Sequence, residues 1–225
     1  MLTLQAPTLT IATPDLLAPR AAKGDPTDAE LARLPHLRES HHVKVKAMQR
    51  RFEDARRNND ATAAIGRLPR PGEALHLAVD GRFALWNCVP AVLDLSRSAI
   101  DSLHVATLGF SRDNVTAMLG LMDIGDVKRL VLLCSHYFRN TSGGIFEYAQ
   151  RELAKRPQAV FISARQHAKL LCVKLANGQA ITVESSANLR SCKNIETMTF
   201  INDSKVYAFH TQWIESLAEK QHEAN

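Results

Sequence analysis

Residues 73–225 predict an α/β fold, a β-sheet sandwiched between helices. Three observations carry this expectation. Short apolar runs of strand length alternate with stretches of helical periodicity, the pattern of a sheet whose connections are helices. Several runs, Arg129–Cys134 above all, are apolar throughout instead of alternating, which suits strands covered on both faces. The hydrophobic fraction, 45%, is enough for a packed core and too high for a disordered chain.

The first 72 residues stand apart as a Pro-rich tail and basic extension. They hold Pro7, Pro14, Pro19, Pro26, Pro35, Pro69 and Pro71, seven of the nine prolines. Each removes a backbone donor and restricts the residue before it, so residues 1–26 read as an extended tail. Asp25-Pro26-Thr27-Asp28 can cap a short helix carrying Leu31, Leu34 and Leu37, interrupted by Pro35. Val43–Asn59 is helix-prone and basic, with Lys44, Lys46, Arg50, Arg51, Arg56 and Arg57 beside a thin stripe of Val45, Met48 and Phe52. It reads either as a solvated helix lying on the body or as an arm for nucleic acid or a partner. Asn58-Asn59-Asp60 reads as its stop, and Pro69-Arg70-Pro71-Gly72 as a linker.

From residue 73 the elements follow in order. Ala74–Val79 is a short apolar run ended by Asp80-Gly81. Phe83–Ser98 has helical periodicity through Leu85, Val89, Val92 and Leu93. Leu103–Phe110 predicts a strand, Asn114–Met122 a helix, and Arg129–Cys134 a strand. Gly143-Gly144 opens a helix through Ile145, Tyr148 and Leu153 that Pro157 closes. Ala159–Ser163 predicts a further strand. His167–Leu175 and Ala180–Glu184 predict a hairpin, because Asn177-Gly178 between two β runs favours a tight turn. Glu196–Ile201 predicts the last strand. Ser204–Lys220 predicts a final helix with Val206, Phe209, Trp213, Ile214 and Leu217 on its apolar side, where Phe209 and Trp213 serve the core or a dimer contact.

Composition narrows the function classes. No apolar run approaches the ~20 residues of a membrane-spanning helix, so no membrane partner is expected. No apolar stretch follows a charged start, so no secretory signal is expected. Cys88, Cys134, Cys172 and Cys192 are widely spaced without a C-x-x-C, against both a zinc knuckle and a disulfide scaffold. Three of them sit in apolar runs as small core residues, and a reducing cytoplasm is the simplest compartment. The 28 Lys and Arg against 23 Asp and Glu give a net charge of +5, which permits a polyanionic partner.

The chemistry concentrates in His167-Ala168-Lys169-Leu170-Leu171, then Ser185-Ser186-Ala187-Asn188-Leu189, then Asn194-Ile195-Glu196. On a strand, positions i and i+2 share a face, so His167 and Lys169 point one way. If the second segment stays extended, Ser186 and Asn188 share a side as well. The hairpin brings the two pairs together. An imidazole, an ammonium, a hydroxyl and an amide then surround one small volume. That set suits a phosphate: Lys supplies charge, Ser and Asn supply neutral hydrogen bonds, and His can attack phosphorus. His136 and Arg139 follow the Arg129–Cys134 strand, and Arg165 precedes His167. All three are candidate substrate contacts at strand ends.

The pattern resembles the phospholipase D (HKD) superfamily, whose signature is H-x-K-x(4)-D, then G-S-x-N, then a downstream acidic residue. His167 and Lys169 match the first part, Ser186 and Asn188 the second, and Glu196 the third. Lys174 stands where the family has Asp, and Ser185 where it has Gly. The matching α/β order runs from about Ala74 to Lys220. The resemblance implies a mixed sheet between helices that is one half of the family's double domain. The chain holds one such motif set and is too short for a second half.

Single-motif relatives pair two chains about a twofold axis, so the resemblance implies a homodimer with a His167 from each copy at the seam. One His167 attacks phosphorus to form a phosphohistidine, and the other acts as general acid and base. Lys169 and Asn188 clamp phosphate oxygens, while Ser186 and Glu196 orient an imidazole. No metal and no other cofactor is implied. Small dimeric members are often nucleases, and the basic charge with Lys44, Arg50 and Arg51 favours nucleic acid. A noncatalytic nucleic-acid-binding or assembly protein on the same fold is the alternative, and a lipid or small-molecule phosphodiesterase is a third. Aromatic residues, at 6%, give little support for an extended base-stacking platform.

Overall fold

The computed structural model describes residues 53–190 and 194–223. The tail, the Val43 end of the basic stretch, and Lys44, Arg50, Arg51 and Cys192 lie outside the described residues.

The strands are β1 (Ala74–Val79), β2 (Ile100–Thr107), β3 (Leu130–Ser135), β4 (Ala159–Ala164), β5 (Leu170–Leu175), β6 (Ala180–Ser185) and β7 (Glu196–Ile201). They form one mixed sheet in the order β1-β7-β6-β5-β2-β3-β4. β2, β3 and β4 run parallel, and β5, β6, β7 and β1 continue antiparallel from β2. The helices are α1 (residues 53–65), α2 (Cys88–Ser96), α3 (Arg112–Asp123), α4 (His136–Thr141), α5 (Gly143–Leu153) and α6 (Ser204–Glu223).

The sheet is covered on both faces. β3 is buried at all six positions. Its alternation is still readable: Leu130, Leu132 and Cys134 face the larger core cluster, and Val131 and Leu133 the smaller. An all-apolar strand is thus the expected outcome of two covered faces. The smaller cluster lies under α6, where Ile214 is fully buried. Phe209 is 66% exposed, so it is not a core residue as the helical stripe suggested. α6 is pinned mid-length by Glu215, which accepts hydrogen bonds from Arg129 (2.5 and 2.9 Å) and from His104 Nε2 (2.5 Å).

Several boundaries differ from the sequence expectations for local reasons. α1 continues through Asn58-Asn59-Asp60. Ala61 and Ile65, four residues apart, are both buried in the larger core cluster, and Asn58 Oδ1 accepts from Asn87 Nδ2 at 2.8 Å. Gly66, at φ +67°, ends the helix. The Pro69–Gly72 stretch is tied to the end of β7: Asn202 Nδ2 donates to Pro69 O (2.8 Å), and Gly72 N to Asn202 O (2.7 Å). In α2, Pro90 is the third helical residue, where its missing N–H leaves no hydrogen bond unmade. β2 stops at Thr107 because Thr107 Oγ1 donates to Gly109 O and turns the chain.

β5 starts at Leu170, not at His167. Its partner on one side, β2, pairs last through Ala106 with Leu170 and ends one residue later at Thr107, whose O accepts from Gln166 Nε2, so residues 167 and 168 have no strand to join there. On the other side the ladder runs one residue further, with Ser185 N donating to Lys169 O at 2.9 Å. The β5–β6 hairpin turns over three residues, with Gly178 N donating to Leu175 O and Gly178 at φ +92°. A three-residue loop of this kind needs the left-handed conformation that Gly adopts without strain.

Cys88, Cys134 and Cys172 are buried as expected. Burial pushes the thiols of Cys134 and Cys172 up to about 12, which leaves them protonated and unreactive at neutral pH. No helix among the described residues is long and apolar enough to cross a membrane.

Candidate active site

His167 and Lys169 sit at the entrance to β5. Ala168 between them packs with Leu170 against the smaller core cluster, so His167 and Lys169 project toward the opposite face. Lys169 Nζ lies 3.2 Å from His167 Nδ1 and donates to His167 O at 3.3 Å. His167 is exposed and Lys169 half-buried.

The second pair sits two strands away on the same face. Glu196 has the parity of Met198 and Phe200, both in the larger core cluster. Ser186 Oγ donates to Glu196 Oε2 and accepts from Thr197 N at 3.0 Å. Ser186 reaches Glu196 because the chain leaves simple alternation at Ser185. Ser185 Oγ donates to Thr197 O (3.0 Å) and accepts from Ala187 N (2.9 Å), which bends the backbone. Ser185, in the place of the expected Gly, thus holds the bend with its own side chain. β6 separates β5 from β7, so the two pairs lie about 10 Å apart by strand spacing.

Asn188 is half-buried, and its Oδ1 is enclosed with no hydrogen-bond partner among the described residues. An enclosed amide oxygen without a donor is costly and calls for a ligand or water. Lys174, in the place of the family's Asp, donates to Gly178 O at 2.8 Å and so fastens the hairpin loop.

His136 and Arg165 share an open pocket of about 610 Å³ with His167. Leu108, Ser135, Tyr137, Asn140 and Gln166 are the other described residues in its wall. It lies past the ends of the three parallel strands, where α/β sheets open into crevices. His136 Nε2 lies 3.2 Å from Ser163 O, so that nitrogen carries a proton. Arg139 does not line that pocket. Its guanidinium lies 5.5 Å from the Phe146 ring centroid, in a neighbouring pocket that also holds Gln150 and Lys220. His136 borders both pockets, because on α4 it lies between Asn140 on one side and Arg139 on the other. The sequence reading missed Tyr137, Asn140 and Gln166. An i, i+1, i+4 pattern beginning at His136 is the signal that points to the first two. Among the described residues no three His, Cys, Asp or Glu side chains converge on a metal-sized space.

No protein-family model and no curated protein matches the chain. Three of the solved structures similar to it are as follows. Nuc from Salmonella typhimurium, a phospholipase D family member, is 15% identical with a TM-score of 0.47, over 64% of this chain and 93% of that one. A polyphosphate kinase from Porphyromonas gingivalis gives 10% identity and a TM-score of 0.47, over 64% of this chain and 26% of that one. A phosphatidylserine synthase from Haemophilus influenzae gives 15% and 0.45, over 66% and 39%. The chain therefore spans nearly all of the matched Nuc chain, about a quarter of the kinase and two fifths of the synthase.

Proposed function

We propose that the chain is a metal-independent phosphodiesterase of phospholipase D type that hydrolyses nucleic acid at a site shared by two copies. The observation that carries this reading is the Lys169–His167 contact on the same sheet face as the Ser186–Glu196 pair. A cation, an imidazole and a carboxylate-held hydroxyl then lie on one sheet face, and Asn188, whose amide oxygen has no partner among the described residues, follows Ser186 by two positions.

The contact also suggests how substrate readies the histidine. An ammonium can only donate, so His167 Nδ1 accepts from Lys169 and a neutral ring keeps its proton on Nε2. Phosphate oxygens compete for Lys169. Once Lys169 turns to them, the ring can carry its proton on Nδ1 and leave Nε2 bare to attack. The P–N bond forms as the P–O bond to the leaving group breaks. The imidazolium of the second copy's His167 protonates the departing oxygen. That ring, now neutral, takes a proton from water as the water oxygen attacks phosphorus, and the P–N bond breaks. Lys169 and Asn188 of both copies meet the negative charge that builds on the phosphate.

The test is hydrolysis in EDTA of DNA, RNA and bis(p-nitrophenyl) phosphate, with the oligomeric state measured by sedimentation. The proposal expects turnover by a dimer, lost in His167→Ala. Persistence of turnover in that variant overturns it. Salt-sensitive nucleic-acid binding without turnover instead supports the noncatalytic alternative.

A further inference from the structure

The pocket beside His167 is too large for a phosphate alone. At about 610 Å³ it falls within the ~300–1,000 Å³ usual for a small-molecule site. Its lining is distinctive in two respects. Among the described residues that line it no carboxylate is present, while Arg165, His136 and His167 supply three potential cations. Among the described lining residues Leu108 is the one aliphatic side chain. What it does offer is an aromatic ring and amides. Tyr137 is 68% exposed, although it sits on a helix with a buried neighbour, Phe138. Nothing in the fold requires a ring at so open a position. Asn140 is one turn further along the same helix.

Gln166 adds an independent observation. Its Nε2 donates to Thr107 O at 2.7 Å, which fixes the orientation of the amide because a carbonyl can only accept. Its Oε1 is consequently enclosed without a partner. The residue immediately before the reactive His thus lines the pocket with its amide held in one orientation and its acceptor unused among the described residues.

We propose that this pocket is a base-binding subsite. One unpaired nucleobase next to the scissile phosphate stacks on Tyr137. Asn140 and Gln166 face the hydrogen-bonding edge of the base, and Arg165 meets the adjoining phosphate. A base inside a duplex is stacked on both sides and cannot enter, so the preferred substrate is single-stranded or locally unpaired nucleic acid. This rests on the phosphodiesterase reading of His167 and adds the substrate's form to it. One ring is consistent with the low aromatic content, since a single base needs a single stacking partner.

The test uses the full-length protein in EDTA with four probes: a single-stranded oligonucleotide, the same strand with abasic sites flanking the cleavage position, its duplex, and bis(p-nitrophenyl) phosphate. The single strand is expected to be cut at least 10-fold faster than the abasic strand and the duplex. In Tyr137→Ala, the ratio of kcat/KM for the single strand to that for bis(p-nitrophenyl) phosphate is expected to fall about 10-fold or more, mainly through KM. Tyr137→Phe restores it. An unchanged ratio, or equal cutting of normal and abasic strands, overturns the subsite while leaving the phosphodiesterase reading intact. If no probe is cut, the catalytic reading fails, and binding decides the subsite. Tighter binding of the single strand than of the abasic strand, lost in Tyr137→Ala, supports it, and equal binding overturns it.

Discussion

Lys169 Nζ lies 3.2 Å from Nδ1 of His167, with one residue between them and that residue packed the other way. Two side chains on one face at the end of a strand are brought into contact by period-two geometry alone. The ladder bond from Ser185 N to Lys169 O holds the backbone beneath them. The remaining freedom is in the side chains, and substrate can redirect them.

His167→Ala and Lys169→Ala are expected to lower kcat in EDTA by ~10²–10⁴-fold, the range for removing an acid–base group or a charge-stabilising group. Lys169→Arg is expected to recover only part, since a planar fork does not reproduce a point charge. His167 is exposed and Lys169 half-buried, so melting should move by no more than the ~0.5 kcal/mol typical of surface substitutions. Initial rates and urea melts on the same preparations check both halves. Wild-type turnover by pure His167→Ala protein would remove this residue from the chemistry.

Ser186→Ala removes the hydroxyl that Thr197 N donates to and that donates to Glu196. A hydrogen bond to a charged group is worth ~1.5–3 kcal/mol, so kcat should fall by about 10–100-fold with a smaller change in KM. Glu196→Gln keeps the shape and removes the charge, and it should lie in the same range. Steady-state kinetics separate this from a binding defect, in which KM would rise at constant kcat.

Gly109→Ala should destabilise the fold by ~1–3 kcal/mol, the usual cost of overpacking. A Cβ there would lie 2.6 Å from Cδ2 and 3.1 Å from Cε2 of Phe138. That ring cannot retreat, because it is 4% exposed and packs on Phe110 with centroids 4.5 Å apart. Gly144→Ala is the matched control. It lies within α5, where an added Cβ meets nothing within 4 Å, and a gain of ~0.5–1 kcal/mol is expected. Urea midpoints moving in the same direction for both variants would count against this packing account.

How far the sequence reached depended on the kind of signal. Continuous apolar runs located the strands, and Glu196–Ile201 coincides with β7 at both ends. The runs could not tell that β5 begins at Leu170, because that limit is set by where β2 stops, over sixty residues earlier in the chain. Asn58-Asn59-Asp60 is a reasonable local stop, but burial of Ala61 and Ile65 carries the helix past it. In the candidate site, His167 and Lys169 were legible from spacing. The Ser186–Glu196 contact depends on a bend built by Ser185, which alternation does not predict. The pocket wall was the least legible part. Leu108, Tyr137, Asn140 and Gln166 come from three segments that meet only when the parallel strands align.

The contact of His104 and Arg129 with Glu215 should make stability fall on acidification in two stages. His104 is 3% exposed, and burial holds its imidazole below the ordinary histidine range, against the opposing pull of Glu215. The unfolded chain therefore takes up that proton first, near pH ~6.5, and stability is lost as pH falls below this value toward the folded pKa. Arg129, helped by His104, holds the Glu215 carboxyl below the ordinary carboxylate range. Its contribution is present above pH ~4.3 and is lost as pH falls through the lower folded pKa. Each single proton gives a slope of at most ~1.4 kcal/mol per pH unit. His104→Asn should flatten the limb between pH 7 and 5 and leave the acid limb in place, whereas Glu215→Gln should remove the acid contribution. Urea melts at pH 7, 6, 5 and 4 measure both limbs. An unchanged slope between pH 7 and 5 in His104→Asn would assign that limb to other histidines.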